Sequence, residues 1–63
     1  MKLNTEEILK KKLLDAQEMV RDYESYSKEI GDAEVSDLFK DFAEESGYQA
    51  RKLRQLLDKL NKN

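Results

Sequence analysis

The fold is decided by the stretch SKEIGDAEV, residues 27–35, which separates two long segments with a helical pattern. Gly31 is a natural helix stop, because glycine adopts the left-handed backbone conformation at low cost. Asp32 follows it as a suitable N-cap for a second helix. The stretch therefore predicts that one helix ends near Ile30 and that another begins at Ala33.

Hydrophobic residues on either side of this corner recur at alternating steps of four and three, the spacing of helices that pack along a seam. The first stripe consists of Leu9, Leu13, Ala16, Val20, Tyr23, Ser27 and Ile30, and the second of Val35, Phe39, Phe42, Ser46, Gln49, Leu53, Leu56 and Leu60. These stripes predict helices over about 5–30 and about 33–60, joined by a turn over 31–33. Asn4 or Thr5 begins the first helix, and Asn4 with Glu7 forms a partial capping box.

A connection this short forces the two helices to be antiparallel neighbours, so residues 1–63 are expected to form a single all-α hairpin domain. The corner also predicts which residues face each other. The expected pairs are Ile30 with Val35, Tyr23 with Phe42, Ala16 with Gln49, and Leu9 with Leu56. Every pair joins two stripe positions, which supports the antiparallel arrangement.

One hairpin leaves more apolar residues than it can bury. Additional apolar side chains lie beside the two stripes at Ile8, Met19, Tyr26, Leu38, Ala43, Ala50 and Leu57. Small chains without disulfides often gain stability by oligomerising, so we expect a homodimer of two hairpins in a four-helix bundle, with a tetramer as the larger alternative. The expected core and dimer seam includes Leu9, Leu13, Val20, Ile30, Phe39, Phe42, Leu53 and Leu56.

The composition excludes several classes of protein. The chain is 41% charged and 38% hydrophobic, has a net charge of −2, and contains no Pro, Cys, His or Trp. The run of three lysines at 10–12 is offset by acidic neighbours, so neither a nucleic acid nor a membrane surface is expected as a partner. No apolar run approaches the ~20 residues of a membrane span. The segment MKLNTEEILKKK lacks the apolar core of a signal peptide, so we expect a cytoplasmic location.

The second helix resembles a known family over the stretch FAEESGYQARKL, residues 42–53. This stretch is similar to the second helix of a ferritin-like, rubrerythrin-type hairpin. In that family an aromatic residue or Leu, an Ala and acidic residues surround a Glu-x-x-His motif, which is followed by Ala and a downstream Leu. Tyr23 and the small Ser27 also resemble a pair in the family's first helix. The resemblance covers about residues 8–60 and implies a ferritin-like four-helix bundle.

The resemblance also implies metal-ligand positions, and in this chain all three are substituted. The Glu and His of the motif fall on Ser46 and Gln49, and the first-helix Glu ligand falls on Ala16. A di-iron site needs carboxylates and imidazoles that point inward from facing helices, so we expect no metal and no other cofactor. The alternative is a shifted site of carboxylates alone at the dimer interface, built from Glu18, Glu24 or Glu45.

Ser46 and Gln49 are polar residues in the middle of a hydrophobic seam. One interpretation is a core hydrogen-bond network with Tyr23 and Tyr26, which specifies register and oligomeric state. The other is a small-ligand or water-filled pocket where the related bundles hold metal. Gly47 costs the second helix about 1 kcal/mol relative to Ala. It either permits the close approach of another helix or is tolerated in a long, well-packed helix.

No residue pattern in the chain indicates catalysis. It has no Cys or His nucleophile or base, no Gly-rich phosphate loop and no paired inward acids. The expected function is that of a non-catalytic, metal-free, ferritin-like structural or interaction module that acts as a homodimer. One alternative is a rubrerythrin-related protein that handles iron or peroxide at a carboxylate-only site. Another is an adaptor whose apolar face accepts a helix of a protein partner.

Overall fold

The structure, a computed structural model that describes residues 4–61, is a hairpin of two antiparallel helices. The first helix, α1, spans Thr5–Glu29 and the second, α2, spans Ala33–Leu60. The predicted helical hairpin is therefore confirmed, and α1 ends one residue before the expected Ile30. The Cα atoms extend over 48 × 24 × 12 Å, so the two helices lie side by side in a single layer.

A complete capping box begins α1 at Asn4. The side-chain Oδ1 of Asn4 accepts a hydrogen bond from the backbone N–H of Glu7 at 2.8 Å. The backbone N–H of Asn4 in turn donates to Glu7 Oε1 at 3.4 Å. The box was expected to be partial because Asn replaces Ser or Thr, but the amide oxygen serves as the acceptor equally well.

The turn differs from the expectation at Gly31. None of the residues 4–61 has a positive φ angle, so Gly31 does not adopt the left-handed conformation. The chain leaves α1 at Ile30 instead, which is extended with φ −75° and ψ 126° while its N–H still donates to Tyr26. An extended residue already directs the chain away from the helix axis, so no left-handed residue is needed. Asp32 caps α2 as predicted, and its Oδ1 accepts from the N–H of Val35 at 3.0 Å.

Two serines connect the helices at the turn. Ser36 Oγ donates to the backbone carbonyl of Ser27 at 2.6 Å, and Ser27 Oγ donates to the carbonyl of Glu24 at 2.8 Å. The Ser27 carbonyl is one of the last four of α1, which have no partner within their own helix. Ser36 therefore satisfies this carbonyl and ties the first turn of α2 to the last turn of α1.

The inner seam agrees with the prediction on α1 and departs from it on α2. All seven residues of the first stripe are buried or half-buried. On α2 the contact line is rotated by about 50° from the predicted stripe, about half of the 100° between consecutive residues. The α2 residues that are at least half-buried in a four-three repeat are Ser36, Phe39, Ala43, Ser46, Ala50, Leu53 and Leu57.

This rotation corrects most of the expected pairs. Val35, Gln49 and Leu56 are exposed, so their pairing with Ile30, Ala16 and Leu9 inside the hairpin is wrong. The pairing of Tyr23 with Phe42 is confirmed, because their ring centroids lie 5.3 Å apart. The rotation has a simple physical reason. Small residues on α2 allow the helix axes to approach, so Ala43 and Ala50 occupy the contact line instead of larger side chains.

The core of the hairpin is thin. Its buried apolar residues are Leu13, Ala16, Ala43 and Leu57, and no side chain in residues 4–61 reaches full burial. The main cluster of large side chains consists of Tyr23, Phe39 and Phe42, in which Tyr23 meets both phenylalanines edge to face at 5.1 and 5.3 Å. Such pairs contribute about 0.5–1.5 kcal/mol each beyond area burial. A core of this size leaves little free energy to offset the entropy of ordering the chain.

Candidate functional site

One side of the hairpin carries a largely apolar stripe that Gln49 interrupts, and we call this side the apolar face. It is formed by Met19 and Tyr26 of α1 and by Val35, Phe42, Gln49 and Leu56 of α2. Within each helix these residues are seven apart, nearly two helical turns, so they lie along one edge. The two edges lie on the same side of the hairpin, because Met19, Phe42 and Gln49 line a single groove. Ile8 and Leu38 extend the face at helical spacing.

Large side chains on the apolar face are well exposed in the single hairpin. The exposed fraction is 43% for Met19, 51% for Tyr26 and 52% for Leu56. Isolated exposed apolar residues are common on protein surfaces, but a continuous stripe of them marks an interaction site. The apolar face is therefore the candidate functional site.

Two open grooves cross this face. The central groove, about 260 Å³, is lined by Met19, Tyr23, Phe42, Glu45, Ser46 and Gln49. The second, about 310 Å³, lies nearer the open end and is lined by Lys12, Tyr48, Gln49, Lys52, Leu53 and Leu56. Small-molecule sites are clefts of roughly 300–1,000 Å³ that enclose most of the ligand. One groove is below that range and the other is at its lower end, so both suit the side chains of a packing helix better than a small ligand.

The opposite side of the hairpin is polar, and we call it the charged face. Seven of the twelve residues that line its two grooves are polar or charged, namely Gln17, Glu24, Lys40, Glu44, Arg51, Arg54 and Gln55. The remaining lining residues belong mostly to the seam and include the small Ala43, Gly47 and Ala50. Its charged side chains, of both signs, are exposed, as such side chains are on most protein surfaces.

The predicted polar network is assembled only in part within one chain. Tyr23, Ser46 and Gln49 line the same central groove, but Tyr26 does not reach it. In the part of the chain that the structure describes, no hydrogen bond joins any two of these four residues. Ser46 is buried, whereas Gln49 is exposed on the apolar face. A network that extends to a second copy stays a prediction.

Three positions correspond to metal ligands in the rubrerythrin-type hairpins that this chain resembles, and their side chains are unsuitable ligands for a metal ion. Ala16 and Ser46 are buried, with exposed fractions of 5% and 8%, while Gln49 is exposed. Alanine offers no donor atom, and a hydroxyl and an amide are weak, neutral ligands. Within residues 4–61, no three His, Cys, Asp or Glu side chains lie close enough together to hold a metal ion.

Packing within the hairpin does not require a glycine at position 47. A Cβ atom added at Gly47 would lie 4.0 Å from Cγ2 of Val20, which is ordinary van der Waals contact. Within the hairpin, therefore, α1 does not approach Gly47 so closely that alanine would be excluded. By contrast, Ala16 and Ala43 are buried and Ala50 is half-buried in the seam between the helices.

The acids considered for a shifted metal site lie on different surfaces. Glu45 lines the central groove of the apolar face, and Glu24 lines a groove of the charged face. Glu18 is exposed. An interface on one face cannot collect both Glu24 and Glu45 of the same chain. A carboxylate-only site between two copies stays a prediction.

Asp15 lies at the rim of the apolar face, toward the open end of the hairpin. Lys11 Nζ and Lys12 Nζ both donate to its Oδ2, at 3.3 and 3.4 Å. These two hydrogen bonds hold the pKa of Asp15 below its ordinary value of 3.8. About 40% of the Asp15 side chain is exposed, so water and salt screen the interaction.

Sequence reasoning placed Met19 and Tyr26 of α1 beside the seam, but on α2 it did not separate the apolar face from the seam. Val35, Phe42, Gln49 and Leu56 were assigned to the second stripe, and Ser36 was assigned no role. A signal for the face was present, because the apolar arc of α2 is wider than a single neighbouring helix can cover. Ser36 offered no such signal, since a serine in the first turn of a helix has many uses.

No protein-family model, curated protein or solved structure matches this chain. Within residues 4–61, neither helix combines the length and apolar character needed to cross a membrane. The apolar face is thus the feature of the molecule that indicates a function.

Proposed function

We propose that this chain is a non-catalytic interaction module that acts as a homodimer. Two hairpins stack through their apolar faces and form a metal-free four-helix bundle of the ferritin-like type. The observation that carries this proposal is the apolar face itself, a stripe including Met19, Tyr26 and Leu56 that the hairpin leaves uncovered. Because each helix then has two neighbours, the second copy completes the packing that one hairpin lacks.

The exposed surface area supports a partner of this size. A compact chain of 7.4 kDa is expected to expose about 4,200 Å². This chain exposes 5269 Å². The excess of about 1,000 Å² is close to the roughly 800 Å² that each partner buries in a standard protein interface. A second copy on the apolar face removes an area of this order from water.

The shape of the hairpin supports the same arrangement. Its helices contain 25 and 28 residues, so they are nearly equal in length. The hairpin is one helix thick, and two such layers make a four-helix bundle. A two-fold dimer uses the same surface on both copies, which requires one self-complementary face and leaves the other in water.

The chemistry at the centre supports a structural role. Ala16 and Ser46 occupy the middle of the seam, where a metal-binding bundle places carboxylates and imidazoles. The chain has no His or Cys that could act as a base, nucleophile or soft ligand. The central residues instead allow the helices to pack closely.

The interface can be tested with two glutamate substitutions. Leu56→Glu adds a charge to the apolar face at a residue that is 52% exposed in the hairpin. Leu14→Glu is the matched control, because Leu14 is also exposed but shares its helical stripe with Gln17 of the charged face. We expect the wild type and Leu14→Glu to sediment as dimers and Leu56→Glu to sediment as a monomer.

Two outcomes of this sedimentation experiment contradict the proposal. A wild-type chain that stays monomeric at high concentration excludes the homodimer and favours the docking of another protein's helix. A Leu56→Glu dimer as tight as the wild type places the interface elsewhere. Circular dichroism of each variant verifies that the helices persist. If Leu56→Glu loses helicity, Gln49→Glu at a second exposed position of the face repeats the test.

A further inference from the structure

The two ends of the hairpin carry opposite charges. Residues 18–45, which include the turn, contain ten acidic and three basic side chains, a formal charge of −7. Residues 4–17 and 46–61, which form the open end, contain four acidic and seven basic side chains, a formal charge of +3. The antiparallel fold creates this separation, because it brings the lysines at 10–12 to the same end as Arg51, Lys52 and Arg54.

Interactions within the hairpin do not cancel this polarity. In the described part of the chain, each ion pair joins residues three or four apart in the same half: Glu6–Lys10, Lys11–Asp15, Lys12–Asp15 and Asp37–Lys40. The two helix dipoles oppose each other in an antiparallel pair, so they add little along the long axis. The hairpin therefore presents a basic end and an acidic end to a partner.

Charges of both signs border the apolar face. Glu45 lines the central groove beside Met19 and Phe42. Lys12 and Lys52 line the groove nearer the open end. Any molecule that covers the apolar face therefore meets a carboxylate near the middle of the hairpin and ammonium groups toward the open end.

We propose that the second copy lies antiparallel on the apolar face, with its turn over the open end of the first. This inference rests on the homodimer proposed above. By two-fold symmetry each acidic half then covers a basic half, and the favourable contact occurs twice. The two-fold axis lies in the interface, perpendicular to the helices. Lys12 and Lys52 of each copy then lie over the acidic half of the other copy.

The parallel orientation is electrostatically unfavourable. It would stack the two −7 halves on each other across a helix-packing distance of about 8–10 Å. That distance is close to the Debye length of about 8 Å at physiological ionic strength, so salt would screen the repulsion only in part. Apolar burial differs little between the two orientations, because both stack the same faces. Charge therefore decides between them.

The two orientations respond to salt in opposite ways. Salt screens attraction in the antiparallel dimer, so we expect its Kd to rise several-fold between about 0.05 and about 0.5 M NaCl. A Kd that falls over this range would mean that like charges meet at the interface, and would overturn the antiparallel arrangement. Sedimentation equilibrium at the two salt concentrations measures the change.

A spin label at the turn measures the orientation directly. The chain has no cysteine, and a side chain at Gly31 meets no atom within 4 Å, so Gly31→Cys provides a single labelling site. In the antiparallel dimer the two turns lie at opposite ends of the bundle, about 40 Å apart for helices of this length. In a parallel dimer they lie at the same end, within about 25 Å, or roughly two helix diameters.

Pulsed electron–electron resonance of labelled Gly31→Cys gives this distance. A control label at Glu18→Cys, near the middle of α1, gives a dipolar signal in either orientation and so reports dimer formation alone. We expect a distance of about 40 Å at the turn with a signal from the control. A short distance at the turn with the same control signal overturns only the orientation. Absence of a dipolar signal from both labels overturns the homodimer as well.

Discussion

The two faces of the hairpin differ in what fills the space between the helices. On the apolar face the rings of Tyr23 and Phe42 meet across the gap at 5.3 Å. On the charged face the corresponding α2 residues are small, at Ala43, Gly47 and Ala50. Aromatic bulk therefore joins the helices on one side, and close approach joins them on the other. The side with bulk also leaves apolar surface exposed.

This difference shows that α2 has more apolar surface than α1 can cover. A helix that packs on a single neighbour needs a narrow stripe, whereas a helix in a bundle needs a wider one. The width of the stripe on α2 suits two neighbours, and α1 is only one of them. In the homodimer proposed above, the charged face remains in water while the apolar face meets the second copy.

The largest expected effect comes from removing the aromatic contact on the apolar face. Phe42→Ala should lower the free energy of unfolding by roughly 2–3 kcal/mol, less than the 3–5 kcal/mol typical of a fully buried Phe because Phe42 is half-buried. It should also weaken the dimer. Urea denaturation at several protein concentrations separates the two effects. Leu14→Ala, at 64% exposure, is the control and should change stability by no more than about 0.5 kcal/mol. Equal losses of unfolding free energy in Phe42→Ala and Leu14→Ala would contradict the different roles that we assign to the two faces.

A smaller effect of opposite sign is expected on the charged face. Gly47→Ala should raise the free energy of unfolding by about 0.5–1 kcal/mol, because alanine is the better helix former. The added Cβ would meet only Val20 Cγ2, at 4.0 Å, so packing does not oppose the gain. Thermal unfolding of the variant beside the wild type measures the difference. A clear loss of stability would instead indicate that a second copy approaches this face closely, and would contradict the idea that it faces water.

The smallest effect is expected at the rim of the apolar face, from Asp15→Asn. The folded-state pKa of Asp15 is lowered by its hydrogen bonds to Lys11 and Lys12, so the carboxylate stabilises the fold above its ordinary pKa of 3.8. This contribution is lost as the pH falls below 3.8 and through the lowered pKa. Asp15→Asn should therefore be slightly less stable than the wild type at neutral pH and equal to it in strong acid.

Thermal unfolding of the wild type and of Asp15→Asn, measured from neutral pH to strong acid, tests whether their stabilities become equal. Asp58→Asn is the control, since Asp58 forms none of the ion pairs of the described residues. A difference between Asp15→Asn and the wild type that persists unchanged in strong acid would show that the substitution acts through packing or helix propensity. The same difference should shrink at high salt, because the pair is partly exposed.

Local signals in the sequence were sufficient to predict the two helices and their caps. Both N-caps are local interactions: Asn4 accepts from the N–H of Glu7, and Asp32 accepts from the N–H of Val35. The partners are three residues apart, so composition and spacing reveal them. The end of α1 was predicted to within one residue, but the left-handed conformation predicted for Gly31 was wrong. A helix can stop in more than one way, and the choice at Ile30 depends on how α2 docks, including the hydrogen bond from Ser36 to Ser27.

The inner seam of α1 was predictable because its large and small seam residues follow one regular stripe. On α2 the same reasoning placed the large Phe42 and Leu56 in the seam and the smaller Ala43 and Ala50 beside it, whereas Ala43 and Ala50 lie on the contact line. Periodicity averages over the whole apolar arc of a helix, whereas contact depends on which side chains let the axes approach. The position of the seam within that arc is therefore a property of the packed pair.

The two capped helices and the short turn between them follow from interactions among neighbours along the chain, so the amino-acid sequence is enough to predict them. The packing of the two helices turns the small residues of α2 toward α1 and leaves an apolar face, which the sequence does not reveal. The same packing decided that charges far apart in sequence, such as Lys12 and Lys52, gather at one end. Both results arise because packing joins residues that are distant in sequence, and their combined surface is not visible in either helix alone.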